Sequence, residues 1–210
     1  MNGKAEELRV WAGLWGLLSE VYTYPLNREK LTLLSGLVSE DESLARALAA
    51  LRNALVDVTD WDRLAEDLNV EYTRLFEGPG HVPAPPYASF YLNGGLLMGP
   101  ETVAVRRAYL EWNVAPVQMG RVPDDHIALE LAFMSHLCKE ARAALISGDD
   151  TRSQSLLDAQ RRFLRDHLLT WLPRFCAAVA SAEPHRFFAE LVKATEALAQ
   201  EHYAETVLPC

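Results

Sequence analysis

Residues 123–147 read PDDHIALELAFMSHLCKEARAALIS, and this stretch decides the fold class. Its apolar residues recur at steps of three and four, which places them on one stripe of an α-helix. The stripe consists of Ile127, Leu131, Met134, Cys138, Ala141 and Leu145. We expect Pro123 to lie in the first helical turn, where its missing N–H costs nothing, and Ser147–Gly148 to end the helix.

The same periodicity continues on both sides of this helix, and no run alternates apolar and polar residues as a strand does. We therefore expect an all-α bundle. The predicted helices cover an N-terminal segment that ends at Pro25, then residues 27–38, 42–56, 60–76, 101–112, 150–171, 173–181 and 184–202. Pro116 and Gly120 interrupt the chain between two of them, which predicts an N-terminal part (1–112), a hinge (113–123) and a C-terminal part (124–210) of one domain.

Residues 77–95 read EGPGHVPAPPYASFYLNGG, and their density of Gly and Pro predicts a long ordered loop without any regular element. Loops of this length are uncommon in compact domains unless they carry function. Tyr72, Leu75 and Phe76 precede the loop at helical spacing. Such spacing is typical of core residues, but a stripe beside a loop can also form one wall of a groove for an apolar peptide.

The charge of the chain limits its partners. Its 210 residues carry a formal net charge of -9 and no Lys/Arg-rich run, which disfavours nucleic acid and anionic lipid and favours a basic partner. Glu6 and Glu7 precede the apolar stretch 10–18, which argues against a signal peptide. No segment approaches the roughly 20 apolar residues that stable membrane insertion requires.

The cysteines indicate the compartment. They are odd in number and widely separated, and they form no CxxC pair, so we expect neither a disulfide framework nor a zinc site. These residues are Cys138, Cys176 and Cys210. We expect a cytoplasmic protein in which the thiols are packing or tail residues.

The sequence lacks the motifs of phosphate binding, zinc-dependent hydrolysis and acyl transfer. Asp124, Asp125 and His126 could form an acid–base site, but no nucleophile is identifiable. The alternative, which we favour, is that the two acids cap the N-terminus of the helix that follows. We therefore predict no catalytic residue and no enzymatic activity.

Two His–Glu pairs at a spacing of four, His126 with Glu130 and His136 with Glu140, could each supply two metal ligands. A third and a fourth ligand are missing, so we expect ordinary helix-surface or hinge interactions and no metal or other cofactor.

Two stretches resemble the TorD/DmsD/NarJ family of redox-enzyme maturation chaperones. Residues 71–80 (EYTRLFEGPG), with Pro85–Ser89 (PPYAS) and Tyr91, are similar to the family's Y-x-x-L-F-x-G-P and P-P-Y/W-E-S-x-Y. Residues 123–131 (PDDHIALEL) are similar to its E-P-x-D-H-x-x-x-E-L.

A third, weaker likeness is carried by residues 163–171, which are similar to the family's F-x-x-x-H-L-x-x-W helix. Val122 and Ala88 stand where the family often has Glu, so two acids that could meet a basic partner are absent.

The resemblance implies a helical chaperone that binds the twin-arginine leader peptide of a molybdopterin-containing oxidoreductase precursor before export. It also implies the binding residues. The apolar wall consists of Tyr72, Leu75, Phe76, Pro86 and Tyr87 with Tyr91, and the hinge consists of Pro123, Asp124, Asp125 and His126. In this hypothesis Asp125 faces an arginine of the leader, because an Arg–carboxylate bond can be charge-assisted and bidentate.

Three questions stay open at this point. The family exchanges parts between protomers in some members, so a monomer and a domain-swapped dimer are both possible. One rival function is a delta-type assembly factor that binds the folded catalytic subunit rather than a leader. The other is a small helical hydrolase that uses Asp125 and His126.

Overall fold

A computed structural model describes residues 2–115 and 122–207, and the fold is all-α, as the sequence predicts. In those two ranges there is no β-strand, and Tyr87 and His126 form an isolated antiparallel bridge. The helices are α1 (Asn2–Val21), α2 (Arg28–Ser35), α3 (Glu42–Asn53), α4 (Trp61–Tyr72), α5 (Ala88–Leu92), α6 (Pro100–Glu111), α7 (Ile127–Ser147), α8 (Asp150–Phe163), α9 (Leu169–Ser181) and α10 (Arg186–Val207). Two π-helical turns, Thr73–Glu77 and Leu164–Leu168, extend α4 and join α8 to α9.

The α7 helix lies at the centre of the bundle, with α1 along one side and α8 along another. Hydroxyl groups join α1 to α7 directly: Ser135 Oγ donates to the Ala12 carbonyl at 2.7 Å, and Ser19 Oγ donates to the Ala128 carbonyl at 2.8 Å. Small and hydroxyl-bearing residues at this contact let the two backbones approach closely. Hydrogen bonds as well as side-chain packing therefore hold α1 against α7.

A single hydrophobic core joins the N-terminal and C-terminal helices, since α10 packs against α3 and α9. Trp15 Nε1 donates to His202 Nδ1 at 2.9 Å, and the Trp11 ring stacks on His202 with centroids 4.2 Å apart. The predicted hinge lies largely outside the described residues, as do Pro116 and Gly120, and so does Cys210. The division into two parts stays a prediction.

The start of α7 differs from the prediction. Pro123 does not occupy the first helical turn, because the helix begins at Ile127 and residues 123–125 form a turn before it. The capping residue is His126, whose Nδ1 accepts from the Ala128 N–H at 3.1 Å, so the prediction that Asp124 and Asp125 cap the helix is wrong. The predicted end is confirmed: Gly148 has φ +79°, the left-handed conformation that suits glycine at this position.

Two further predictions of helix limits are wrong. The predicted loop contains α5, because its Gly and Pro residues cluster at 78–86 and 94–95 and leave the sequence ASFYL free of breakers. Pro173 does not separate two helices but lies within α9. The break in this region is instead the π-helical turn Leu164–Leu168, which joins α8 and α9 without a loop.

Candidate functional site

The two motif-bearing segments, the loop after Phe76 and the turn at Pro123, lie side by side. The Ile127 N–H donates to the Pro86 carbonyl at 2.9 Å, and the Ala88 N–H donates to the Asp125 carbonyl at 3.0 Å. Tyr87 and His126 face each other across the resulting bridge, with ring centroids 5.0 Å apart. Residues separated by about 40 positions in sequence therefore form one region, as a shared site requires.

Asp125 is the link within this region rather than a group open to a partner. Its carboxylate is fully buried: Oδ2 accepts from the Ser89 N–H at 2.7 Å, and Oδ1 accepts from Thr102 Oγ1 at 2.8 Å. Both oxygens are occupied, so in this structure Asp125 does not face a cleft or offer a carboxylate to a leader arginine. The acid instead holds α5 and α6 against the start of α7.

Asp124 is buried beside it and plays a similar structural part. Its Oδ2 forms an ion pair with Arg106 Nε of α6, and its backbone carbonyl accepts from Tyr109 Oη at 2.9 Å. Because an unpaired carboxylate is costly to bury, the ion pair with Arg106 explains how this acid is tolerated.

His126 is buried as well, and its ring has a fixed role. Desolvation lowers the pKa of His126 to about 4 despite the nearby Asp125 charge, so the imidazole is neutral at neutral pH. Nδ1 is the acceptor of the helix cap, and His126 is also one of the residues that line a cavity beside the turn. A neutral ring there adds no positive charge that could repel a basic ligand.

The predicted apolar wall is largely core. Leu75 and Phe76 are buried, and Phe76 packs edge-on against Phe188 of α10 with centroids 5.5 Å apart. Tyr72 is also buried, with its hydroxyl donating to the Tyr22 carbonyl at 2.8 Å, yet it is one of the residues that line the cavity. Of these three residues, only Tyr72 lines the cavity.

The predicted binding residues of the loop also lie partly or fully inside the protein. Pro86 is buried, Tyr87 is half-buried next to His126, and Tyr91 is half-buried against Trp171 with centroids 5.8 Å apart. None of the three is among the residues that line the cavity.

The cavity itself has a volume of about 420 Å³ and lies where α1 ends, α4 passes into its π-helical turn and α7 begins. We call it the α1–α7 cleft. Its walls combine aromatic, small and acidic side chains, among them Glu20, Tyr24, Tyr72, Glu77, His126 and Ala132. The cleft thus includes Tyr72 and His126 from the predicted site and adds residues that the sequence pattern did not indicate.

The two carboxylates of the cleft differ in their surroundings. Glu20 lies 3.9 Å from the ammonium group of Lys30, which also donates to the Thr23 carbonyl at 2.7 Å. Glu77 forms no ion pair within the described part of the chain, and desolvation raises its pKa. Burial is the main cause of the raised pKa of the Tyr72 and Tyr87 hydroxyls, and the negative charge of Glu77 raises both further.

Glu130 is another residue whose role the sequence did not reveal. We expect helix-surface or hinge interactions for it together with His126, but it is fully buried, and Trp171 Nε1 donates to its Oε2 at 3.3 Å. Burial raises the pKa of Glu130 well above its ordinary value. The contact joins the second motif to the third.

A second cavity, of about 470 Å³, lies at the opposite end of α1, between the α2–α3 connection and the end of α10. It is also acidic, with Glu40 and Glu205 among its lining residues. None of the residues singled out by the motifs lines it, so its acidic residues are suitable controls for those of the α1–α7 cleft.

The described residues offer no group of three or more His, Cys, Asp or Glu side chains that could hold a metal ion. Between residues 2 and 115 and between 122 and 207, no helix is both long and apolar enough to cross a membrane.

The fold and the cleft define an all-α protein with an acidic, aromatic-lined hollow beside a fixed turn. The chain belongs to the family described as nitrate reductase delta subunit, which matches residues 39–177. It is similar to the chaperone protein TorD of Vibrio cholerae, with 32% identity over 184 residues that cover 83% of this chain and 79% of the relative. The TorD chaperone of Photobacterium profundum is 31% identical over 173 residues, which cover 82% and 78% of the two chains.

A solved structure of a redox enzyme maturation protein from Archaeoglobus fulgidus is also similar, with 24% identity, 92% of each chain covered and a TM-score of 0.49.

Proposed function

We propose that this protein is a cytoplasmic chaperone that binds the twin-arginine leader peptide of a molybdopterin-containing oxidoreductase precursor and assists its maturation before export. Membership of the family and about 30% identity to proteins named TorD chaperones support a maturation role. The leader as the bound segment is our inference from the family resemblance together with the cleft. The proposed action requires binding and release and no chemical turnover.

The observation that carries the proposal is the α1–α7 cleft, which combines an aromatic wall with acidic side chains. A twin-arginine leader has complementary features, since a basic front is followed by an apolar stretch. Burial of apolar surface contributes about 25 cal/mol per Å² and supplies affinity, while exposed charges mainly steer and select. The net charge of -9 favours the approach of such a peptide.

Titration calorimetry of the full-length protein against a panel of twin-arginine leader peptides tests the proposal. We expect at least one leader to bind well above the level of its scrambled counterpart, and its affinity to fall as salt increases. Equal binding of leader and scrambled peptides across the panel would contradict leader recognition.

The second candidate is an assembly factor that binds the folded catalytic subunit, and the family description as a nitrate reductase delta subunit favours it. A pulldown with an oxidoreductase that lacks its leader separates the two functions. Capture of the leader-deleted enzyme as efficiently as the full precursor supports the assembly factor, whereas loss of capture supports the leader-binding chaperone.

A hydrolase that uses Asp125 and His126 receives no support from their geometry. Both carboxylate oxygens of Asp125 and the Nδ1 atom of His126 accept hydrogen bonds from groups that fix the local fold. A general base must be able to reach the proton that it removes. We therefore keep a non-enzymatic role as part of the proposal.

A further inference from the structure

We propose that Glu77 is the carboxylate that binds a guanidinium group of the leader peptide in the α1–α7 cleft. This inference rests on the proposed function and names a contact that the family resemblance had implied for Asp125.

The position of Glu77 meets the first requirement, which is access. It is the last residue of the π-helical turn Thr73–Glu77, its side chain is exposed, and it lines the cleft. A π-helical turn moves the residues after it relative to an ordinary helix, and such turns are frequent at functional sites. The turn leaves Leu75 and Phe76 in the core while Glu77 stands at the wall of the cleft.

The second requirement is a carboxylate without an internal partner. Glu20, the other acid that lines the cleft, lies 3.9 Å from the ammonium group of Lys30. Of the two buried acids behind the cleft, Asp125 accepts two hydrogen bonds and Asp124 is paired with Arg106. Glu71, on the same segment, accepts from Arg74 Nε at 2.7 Å. Among the described residues, Glu77 takes part in no ion pair, so its charge is available to a cation that enters the cleft.

The surroundings of Glu77 also suit a guanidinium in particular. Tyr24 is 48% exposed and its ring lies 5.5 Å from that of Tyr72, which provides an aromatic face at the cleft. A guanidinium can stack on such a face while its N–H groups donate to a carboxylate, an arrangement that an ammonium group matches less well. Partial desolvation strengthens both contacts, and it already raises the pKa of Glu77.

The test is a double-mutant cycle by titration calorimetry on the full-length protein. A twin-arginine leader that binds the wild type is compared with the same peptide in which the arginine pair is replaced by glutamine. Both are titrated into the wild type and into Glu77→Gln. We expect Glu77→Gln to weaken the native leader about tenfold or more and to leave the glutamine peptide nearly unaffected.

Two matched variants separate this contact from general charge. Glu20→Gln removes the acid that lies near Lys30 and is expected to have a smaller effect than Glu77→Gln. Glu40→Gln removes an exposed acid at the second cavity and is expected to leave affinity within about twofold of the wild type. Thermal denaturation of each variant confirms that these exposed substitutions leave the fold intact.

The outcomes distinguish the two proposals. If the wild type prefers the leader to its scrambled form but Glu77→Gln binds it equally well, the role of Glu77 is wrong and leader recognition stands. An equal loss for the arginine and glutamine peptides also contradicts a Glu77–guanidinium contact. If the wild type shows no preference for any leader, the proposed function itself is wrong.

Discussion

The Asp125 carboxylate accepts a hydrogen bond from the Ser89 backbone N–H at 2.7 Å, and this contact fixes the loop after Phe76 to the turn at Pro123. The second oxygen of Asp125 is held by Thr102 of α6, so one buried acid joins three segments. This residue, which the motif singles out, shapes the neighbourhood of the α1–α7 cleft without lining it.

Replacement of Asp125 by Ala should lower the free energy of unfolding by about 3 kcal/mol, because two buried donors lose a charged acceptor. Urea denaturation followed by circular dichroism measures this change. Thr102→Val removes one of the two donors and should cost about 1 kcal/mol. If both variants unfold with the same free energy as the wild type, the hydrogen bonds to Asp125 do not hold these segments together.

The all-α class and most helices could be predicted from sequence, because periodicity and breakers report on local structure. That the two motifs share one region was implied only by the family resemblance. The direction in which the Asp125 side chain points could not be predicted from sequence. A buried acid with backbone and hydroxyl donors has the same sequence signature as a ligand-binding acid, since its partners, Ser89 and Thr102, lie 36 and 23 positions away.

The same limit explains the residues that were missed. Glu20 and Glu77 reach the cleft only because α1 ends beside the π-helical turn, and no local pattern predicts such a turn. Leu75 and Phe76 show a complementary case: their spacing identifies buried residues correctly, but it does not reveal that Phe76 packs against Phe188 of α10 rather than against a ligand.

Stability should depend on pH through His202, whose pKa burial lowers to about 3. In the unfolded chain His202 binds a proton near pH 6.5, whereas in the folded chain it stays neutral down to about pH 3. The unfolding free energy therefore falls as pH drops from about 6.5 toward 3. His202→Asn removes this contribution. The stability advantage of the wild type over the variant should therefore shrink by about 2 kcal/mol between pH 7 and pH 4.5.

Urea denaturation of the two proteins at several pH values measures this difference. Glu205, which accepts from Trp11 and has a pKa raised by burial to about 7, works in the opposite direction, but it is present in both proteins and largely cancels. A stability difference that stays constant from pH 7 to pH 4.5 would contradict a neutral, buried His202.

Substitutions at Tyr24 and Leu75 should separate effects on leader binding from effects on the stability of the fold. Tyr24 lines the cleft and is partly exposed, so Tyr24→Ala should weaken the best leader several-fold while it changes the unfolding free energy by less than about 1 kcal/mol. Leu75 is fully buried, so Leu75→Ala should cost about 3 kcal/mol of stability. Calorimetry and thermal denaturation on both variants provide the comparison, and loss of binding in Leu75→Ala alone would argue against the cleft.

Filling the α1–α7 cleft tests the central claim most directly. Ala132 lies on α7, is exposed and lines the cleft, so Ala132→Trp places a large side chain in it without removing a native contact. Ala143 is exposed on the same helix but does not line the cleft, and Ala143→Trp is the matched control. Titration of a twin-arginine leader should show binding to the control and at least a tenfold loss in Ala132→Trp, whereas equal binding to both variants would contradict the assignment of the cleft as the leader site.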